Sequence, residues 1–229
     1  MQEFFKEAIR HIFPYRCIRL FRRTANHVTS GLVFHKDLKE LNRMRTEAEL
    51  DLQSRALIEV REILNLNKIP YFIMGGALLG SIREGDFIRW DYDVDIEVKT
   101  EEIKPKHELL MSLLIKAGFQ ITFHDSSWTD YKIIASKHGI NYEITGYMKM
   151  RGLRYRKRSF HPDFKDGGEI ILRGEKYSTF LFPEKYLDWF YGDWKKPKQT
   201  VIVDDYITTK SRTSPLALTC LEIMSLFKK

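Results

Sequence analysis

Hydrophobic and polar positions alternate most strictly at residues 90–98, Trp-Asp-Tyr-Asp-Val-Asp-Ile-Glu-Val. A strand points successive side chains to opposite faces, so this run predicts Tyr92, Val94, Ile96 and Val98 on one face. Asp91, Asp93, Asp95 and Glu97 then line the other. Upstream, Leu38, Leu41, Leu50, Leu57, Val60 and Leu64 recur at helical spacing and predict a long helix over 37–66. Residues 70–74 read as a short buried strand, broken by Gly75-Gly76. A short helix from Ala77 to Arg83 follows, and Gly85-Asp86 turns the chain into the acidic strand.

Downstream, Pro105–Ala117 has the pattern of an amphipathic helix ended by Gly118. Strands are predicted at 119–124, 130–136 and 140–147, with a Lys-His-Gly-Ile-Asn turn between the last two. A basic stretch, Arg151–Arg158, leads into a His-Pro-Asp loop and a strand at 169–173. Pro183–Tyr191 reads as a helix with proline at its start and Gly192 after it, and Ser214-Pro215 opens a final apolar helix. The mixture predicts an α/β (α+β) domain with a mixed sheet flanked by helices. It divides as a basic amphipathic segment (1–35), a central α/β domain (36–200) and a C-terminal strand/helix appendage (201–229).

Composition narrows the picture. Hydrophobic residues make up 43% and aromatic residues 13% of 229 positions, ample for a packed core and unlike a disordered chain. Cys17 and Cys220 form no CxxC pair, so neither a zinc site nor a disulfide framework is indicated. No apolar run reaches membrane-spanning length and no secretory segment is evident, which gives a cytoplasmic expectation. Residues 1–23 mix Phe4, Phe5, Ile9, Ile12 and Phe13 with Lys6, Arg10, Arg16 and Arg19. Such a segment can lie peripherally in an anionic membrane interface; the alternative is a helix docked on the protein's own core. The net charge of +7 suits phosphate-bearing substrates, anionic lipid or nucleic acid, without choosing among them.

Four like charges on one strand face repel, and aspartate is a poor strand former. The strand therefore reads either as a solvated edge or as a site for a hard divalent cation, Mg²⁺ or Mn²⁺, which takes oxygen ligands beside substrate phosphates. Asp93 and Asp95, on one face about 6.6–6.8 Å apart at Cα, can reach one cation. Asp91 is a further candidate ligand. Glu143, on the polar face of the alternating run Ile140–Thr145, is the candidate third carboxylate and alternatively a strand glutamate facing solvent. Gly75 and Gly76 at a helix start let backbone N–H groups approach a phosphate, and Ser81 and Arg83 add a hydroxyl and a charged fork. Arg151, Arg154, Arg156, Lys157 and Arg158 read either as a solvated face or as a grip on an anionic substrate.

A Gly-Gly turn, an Asp-x-Asp strand and a later acidic strand residue resemble the nucleotidyltransferase superfamily. More specifically, Gly75-Gly-Ala-Leu-Leu-Gly-Ser-Ile-Arg followed by Phe87-Ile-Arg-Trp-Asp-Tyr-Asp-Val-Asp-Ile is similar to the LicD family, which includes bacterial phosphocholine transferases and the catalytic domains of fukutin and fukutin-related protein. The segment Tyr186-Leu-Asp-Trp-Phe-Tyr-Gly-Asp-Trp resembles the end of that family's domain. Arg89 stands where the family has proline, and the family's third carboxylate is usually Asp rather than Glu143. The resemblance implies transfer of a phospho-alcohol from a CDP-linked donor to a sugar hydroxyl of a glycan or glycolipid, as in cell-surface polysaccharide synthesis, with release of CMP. It further implies Asp93 and Asp95 as catalytic metal ligands, Glu143 as a ligand or general base, and no nucleic-acid partner. Two alternatives stay open: transfer of a nucleoside monophosphate with release of pyrophosphate, and a non-catalytic basic module.

Overall fold

The structure, a computed structural model, describes residues 43–199 apart from 129, 151, 157 and 158. Helix α1 (Glu47–Leu66) starts where Thr46 caps it: its hydroxyl accepts from the Glu49 N–H at 3.3 Å, and the Glu49 carboxylate accepts from the Thr46 N–H at 2.8 Å. This reciprocal box satisfies two N–H groups that a helix end leaves open. Residues 43–46 are not helical, so the helix begins later than its apolar spacing predicts. The expected turns at Leu38 and Leu41, the basic N-terminal segment and the final helix at Ser214 lie outside the described residues.

β1 (Tyr71–Ile73) is buried throughout and feeds directly into α2 (Gly75–Glu84). The two glycines do not break the chain ahead of the helix; they form its first turn, with Gly75 at φ +59°. The helix stops on Gly85 in the left-handed region, φ +70°, a conformation glycine adopts without a Cβ clash. After a loop comes the acidic strand β2 (Asp93–Lys99). One short turn, α3 (Thr100–Ile103), and a 3₁₀ turn holding Pro105 then precede α4 (His107–Lys116).

Strands β3 (Gln120–Asp125), β4 (Lys132–Lys137) and β5 (Ile140–Met150) form a meander. The β4–β5 turn places His138 and Gly139 at φ +53° and +76°. The basic stretch and the His-Pro segment are a hairpin, β6 (Leu153–Arg156) with β7 (Ser159–Pro162), and not an open loop. A second hairpin pairs β8 (Asp166–Leu172) with β9 (Glu175–Phe180) across Arg173 and Gly174. β9 carries no strict alternation and was not predicted. Helix α5 (Pro183–Phe190) is the last element of the described chain, starting at its proline as expected.

The main sheet runs β1-β2-β5-β4-β3, with β6 joined to the far end of β5 and β7 to β6. β2 and β5 are parallel and the other pairs antiparallel, so the sheet is mixed, as the sequence predicts. One face supplies Val94, Ile96, Val98, Ile133, Ala135, Tyr142 and Ile144 to a single core with Leu57, Val60 and Leu64 of α1 and Leu110 and Leu114 of α4. That burial fixes the register of β2, because a slip of one residue would drive its carboxylates into the core. On the opposite face Asp93, Asp95 and Glu143 stay partly exposed, while Glu97, Thr145 and Tyr147 are buried.

Candidate active site

β2 presents Asp93 and Asp95 half-buried on its polar face, while Val94, Ile96 and Val98 are no more than 1% exposed. Parallel pairing with β5 sets Asp93 beside Asn141 and Asp95 beside Glu143. The three expected carboxylates therefore share one face of two adjacent strands. Tyr92 departs from the expected alternation. It precedes the strand and stands half-buried among the carboxylates rather than in the core. Burial first, then the charges of Asp93, Asp91, Glu143 and Asp95, push its phenol up to about 12.

The glycine turn closes on this face from above. A Cβ on Gly76 would lie 2.6 Å from Cγ of Asp91, and one on Gly75 would lie 3.2 Å from Cγ of Asp95. Only residues without side chains let the first turn of α2 sit this close to both carboxylates. Asp91 is held in that crevice. Burial and then the Asp95 charge push its carboxyl up to about 7, opposed by Arg45 and by the Tyr92 N–H. Negative charge is thus concentrated against the positive end of a helix dipole.

Glu143 has a cationic neighbour that sequence reasoning missed. Lys132, opposite Thr145 on β4, places Nζ 2.6 Å from Oε2 of Glu143. The signal was available: a two-residue turn at His138-Gly139 fixes the hairpin register and so sets Lys132 diagonal to Glu143. Among the described residues, no three Asp, Glu, His or Cys side chains are gathered closely enough to hold a metal ion.

The remaining expected residues are placed differently. Ser81 lies about 9 Å along α2 from Gly75, buried, and its hydroxyl donates to the Leu78 carbonyl at 2.8 Å. Arg83, a further half-turn along, donates to Glu84 and to the Trp194 carbonyl. Both tie the helix into its surroundings away from the glycine turn. Glu97 shares the acidic face but is 1% exposed and paired with Arg154 at 2.6 Å. Arg154 also donates to Asp163 at 3.0 Å, to Asp166 and to the Phe164 carbonyl at 2.9 Å. Its guanidinium stacks over Tyr147, Phe180 and Phe72. This member of the basic stretch is neither a solvated charge nor an exposed grip; it is an internal tie between β2, β6 and the segment leading into β8. His161, expected in a loop, is in β7 against Trp189, and Trp194 is buried.

Residues 68–190, more than half of the chain and including the acidic strand and its glycine turn, match the LicD/FKTN/FKRP nucleotidyltransferase domain. The chain belongs to this family. Ribitol 5-phosphate transferase FKRP is 44% identical over 41 residues in both Mus musculus and Homo sapiens. That match takes in 18% of this chain and 8% of the length of each relative. Among solved structures, the antibiotic-resistance factor ANT(2'')-Ia aligns over 75% of this chain and 85% of its own, at 16% identity and a TM-score of 0.48. The lincosamide adenylyltransferase LnuA aligns over 63% and 86%, at 15% identity and a TM-score of 0.42.

The residues present suit a hard divalent cation in their chemistry. The set is oxygen-only, Asp93, Asp95 and Glu143 with Asp91 alongside, and the Lys132 ammonium already stands in as a cation at Glu143. No helix among the described residues is long and apolar enough to cross a membrane.

Proposed function

We propose that this protein is a phospho-alcohol transferase that takes its group from a CDP-linked donor and delivers it to a hydroxyl of a glycan or glycolipid. The observation that carries the reading is the pairing of Asp95 with Glu143 across parallel strands, beneath a glycine turn that Asp91 and Asp95 touch, in a chain of this family. Donor phosphates are oxygen-rich and anionic. They call for backbone N–H donors, which the first turn of α2 supplies, and for carboxylates that hold a cation between protein and phosphate.

In the reaction, the acceptor oxygen forms a bond to the phosphorus that bears the alcohol. The bond from that phosphorus to the CMP oxygen breaks, CMP leaves, and the acceptor's proton passes to a base. Asp93 and Asp95 would hold Mg²⁺ or Mn²⁺, with Glu143 as third ligand or as the base and Asp91 in support. Bound there, the cation supplies charge neutralisation for the diphosphate and for the developing oxyanion. Gly75 and Gly76 bind and orient the phosphates, and the buried β2–β5 ladder keeps the carboxylates fixed while charge moves.

The family's nucleotidyltransferase character favours a second reading on the same residues: transfer of a nucleoside monophosphate with loss of pyrophosphate. The leaving group separates the two. The full chain is incubated with CDP-choline, CDP-ribitol, CDP-glycerol and the four nucleoside triphosphates, with Mg²⁺ or with chelator. Cation-dependent CMP release from one CDP-alcohol supports the first reading. Pyrophosphate release from a triphosphate, with all CDP-alcohols inert, supports the second and overturns the first.

A further inference from the structure

Among the described residues, Lys132 is a cation that already sits on a carboxylate of the proposed site. Its position is fixed from both sides. The preceding Tyr131 is 1% exposed, and its carbonyl accepts from the Gly146 N–H at 2.8 Å. A Cβ on Gly146 would lie 2.7 Å from that of Tyr131, so glycine at 146 is what lets the start of β4 close on β5. Ile133 and Ala135 are buried in the core and turn Lys132 onto the polar face. There its ammonium, with the side chain 23% exposed, reaches Glu143, which is 14% exposed. The backbone of this lysine is anchored, and its ammonium has one carboxylate at 2.6 Å.

Glu143 cannot give the same oxygen to the ammonium and to a divalent cation, since two positive charges at that spacing repel strongly in a half-buried setting. Moving Lys132 to another anion on the same polar face frees that oxygen of Glu143 for the cation. A donor phosphate arriving at the glycine turn is an anion of the right kind, and the flexible four-carbon stem with three ammonium donors suits the exchange. We propose that Lys132 is a phosphate-binding residue that makes donor and cation binding interdependent: alone, it competes with the cation for Glu143, and with donor present it holds the phosphate. The inference rests on the metal and phosphate reading above. The coupling is reciprocal by linkage, so the cation must raise donor affinity by the same factor that the donor raises cation affinity.

The test is Mn²⁺ binding to the full chain, followed by calorimetry and by electron paramagnetic resonance, without and with saturating CMP. Wild type is compared with Lys132→Met, with Lys132→Arg and with Lys137→Met, whose lysine pairs with Glu59 outside the site. Lys132→Met is expected to bind Mn²⁺ roughly tenfold more tightly than wild type without CMP. It is also expected to lose most of the CMP-dependent gain seen in wild type, whereas Lys132→Arg and Lys137→Met retain it. Equal Mn²⁺ affinity and an equal CMP effect in wild type and Lys132→Met, in a protein with an unchanged circular dichroism spectrum, would overturn the role of Lys132 alone. Absence of Mn²⁺ binding in wild type, with or without CMP, would overturn the cation reading itself and this inference with it.

Discussion

Replacing Arg154 with methionine removes the charge that neutralises Glu97, and the structure sets the size of the effect. Both side chains are 2% exposed, and the 2.6 Å pair between them is the most deeply buried ion pair among those described. Methionine keeps much of the apolar contact with Phe72, Tyr147 and Phe180, so little packing is lost. Asp163 and Asp166 are more exposed and retain Lys149 at 3.3 and 2.8 Å, so they tolerate the change. The loss therefore falls on Glu97, left charged in the interior, and breaking such a pair costs about 3–5 kcal/mol. That is a fifth or more of the stability of a typical domain, about 5–15 kcal/mol. Urea denaturation of the full chain is expected to show the midpoint falling accordingly. Adding Glu97→Gln to Arg154→Met should recover at least about 2 kcal/mol, because the stranded charge is gone. A single variant within about 1 kcal/mol of wild type, or a double variant no better than the single, would refute the assignment of Arg154 as an internal tie.

Other substitutions probe the site and its supports. Gly76→Ala puts a Cβ 2.6 Å from Cγ of Asp91; a loss of about 1–3 kcal/mol in thermal or urea unfolding is expected. Gly75→Ala, at φ +59° and against Asp95, is expected to cost about 1–2 kcal/mol and to lower turnover well beyond what that stability loss explains. Thr46→Ala removes the cap of α1 and should cost about 0.5–2 kcal/mol in urea unfolding. His107, buried beside Tyr131 at 3.0 Å, has its imidazole pKa lowered, by burial first. The unfolded chain therefore takes up its proton, near pH 6.5, before the folded chain does. The contribution is present above that pH and is lost as pH falls through the lowered folded value. Stability measured from pH 8 to 5 should decline below about 6.5 in wild type and decline less in His107→Phe.

The acidic strand was legible in the sequence because a buried apolar face forces a period of two, and Val94, Ile96 and Val98 obey it without exception. The same logic failed at Tyr92, since alternation binds only inside the ladder and β2 starts at Asp93. The start of α1 was misplaced because apolar spacing continues upstream of Thr46, while the Thr46-Glu47-Ala48-Glu49 box that stops it is a local hydrogen-bond signal. Glu97 and Asp95 look alike in sequence. Only tertiary structure separates them, by setting Arg154 over one and Lys132 near the partner of the other. Ser81 and Arg83 were read by nearness along the chain to the glycine turn, but a helix carries them away from it at 1.5 Å per residue. β9 went unpredicted for want of alternation, although Arg173-Gly174 repeats the left-handed turn seen at His138-Gly139.

The account stands on Asp95 and its neighbour Asp93 carrying a cation-dependent transfer. The most direct measurement is the rate of CMP release from the preferred CDP-alcohol by Asp93→Asn and Asp95→Asn, beside wild type, at saturating Mg²⁺. The account predicts losses of about 10²–10³-fold or more in each variant, with urea midpoints close to wild type. An Asp95→Asn protein that releases CMP at the wild-type rate would contradict it.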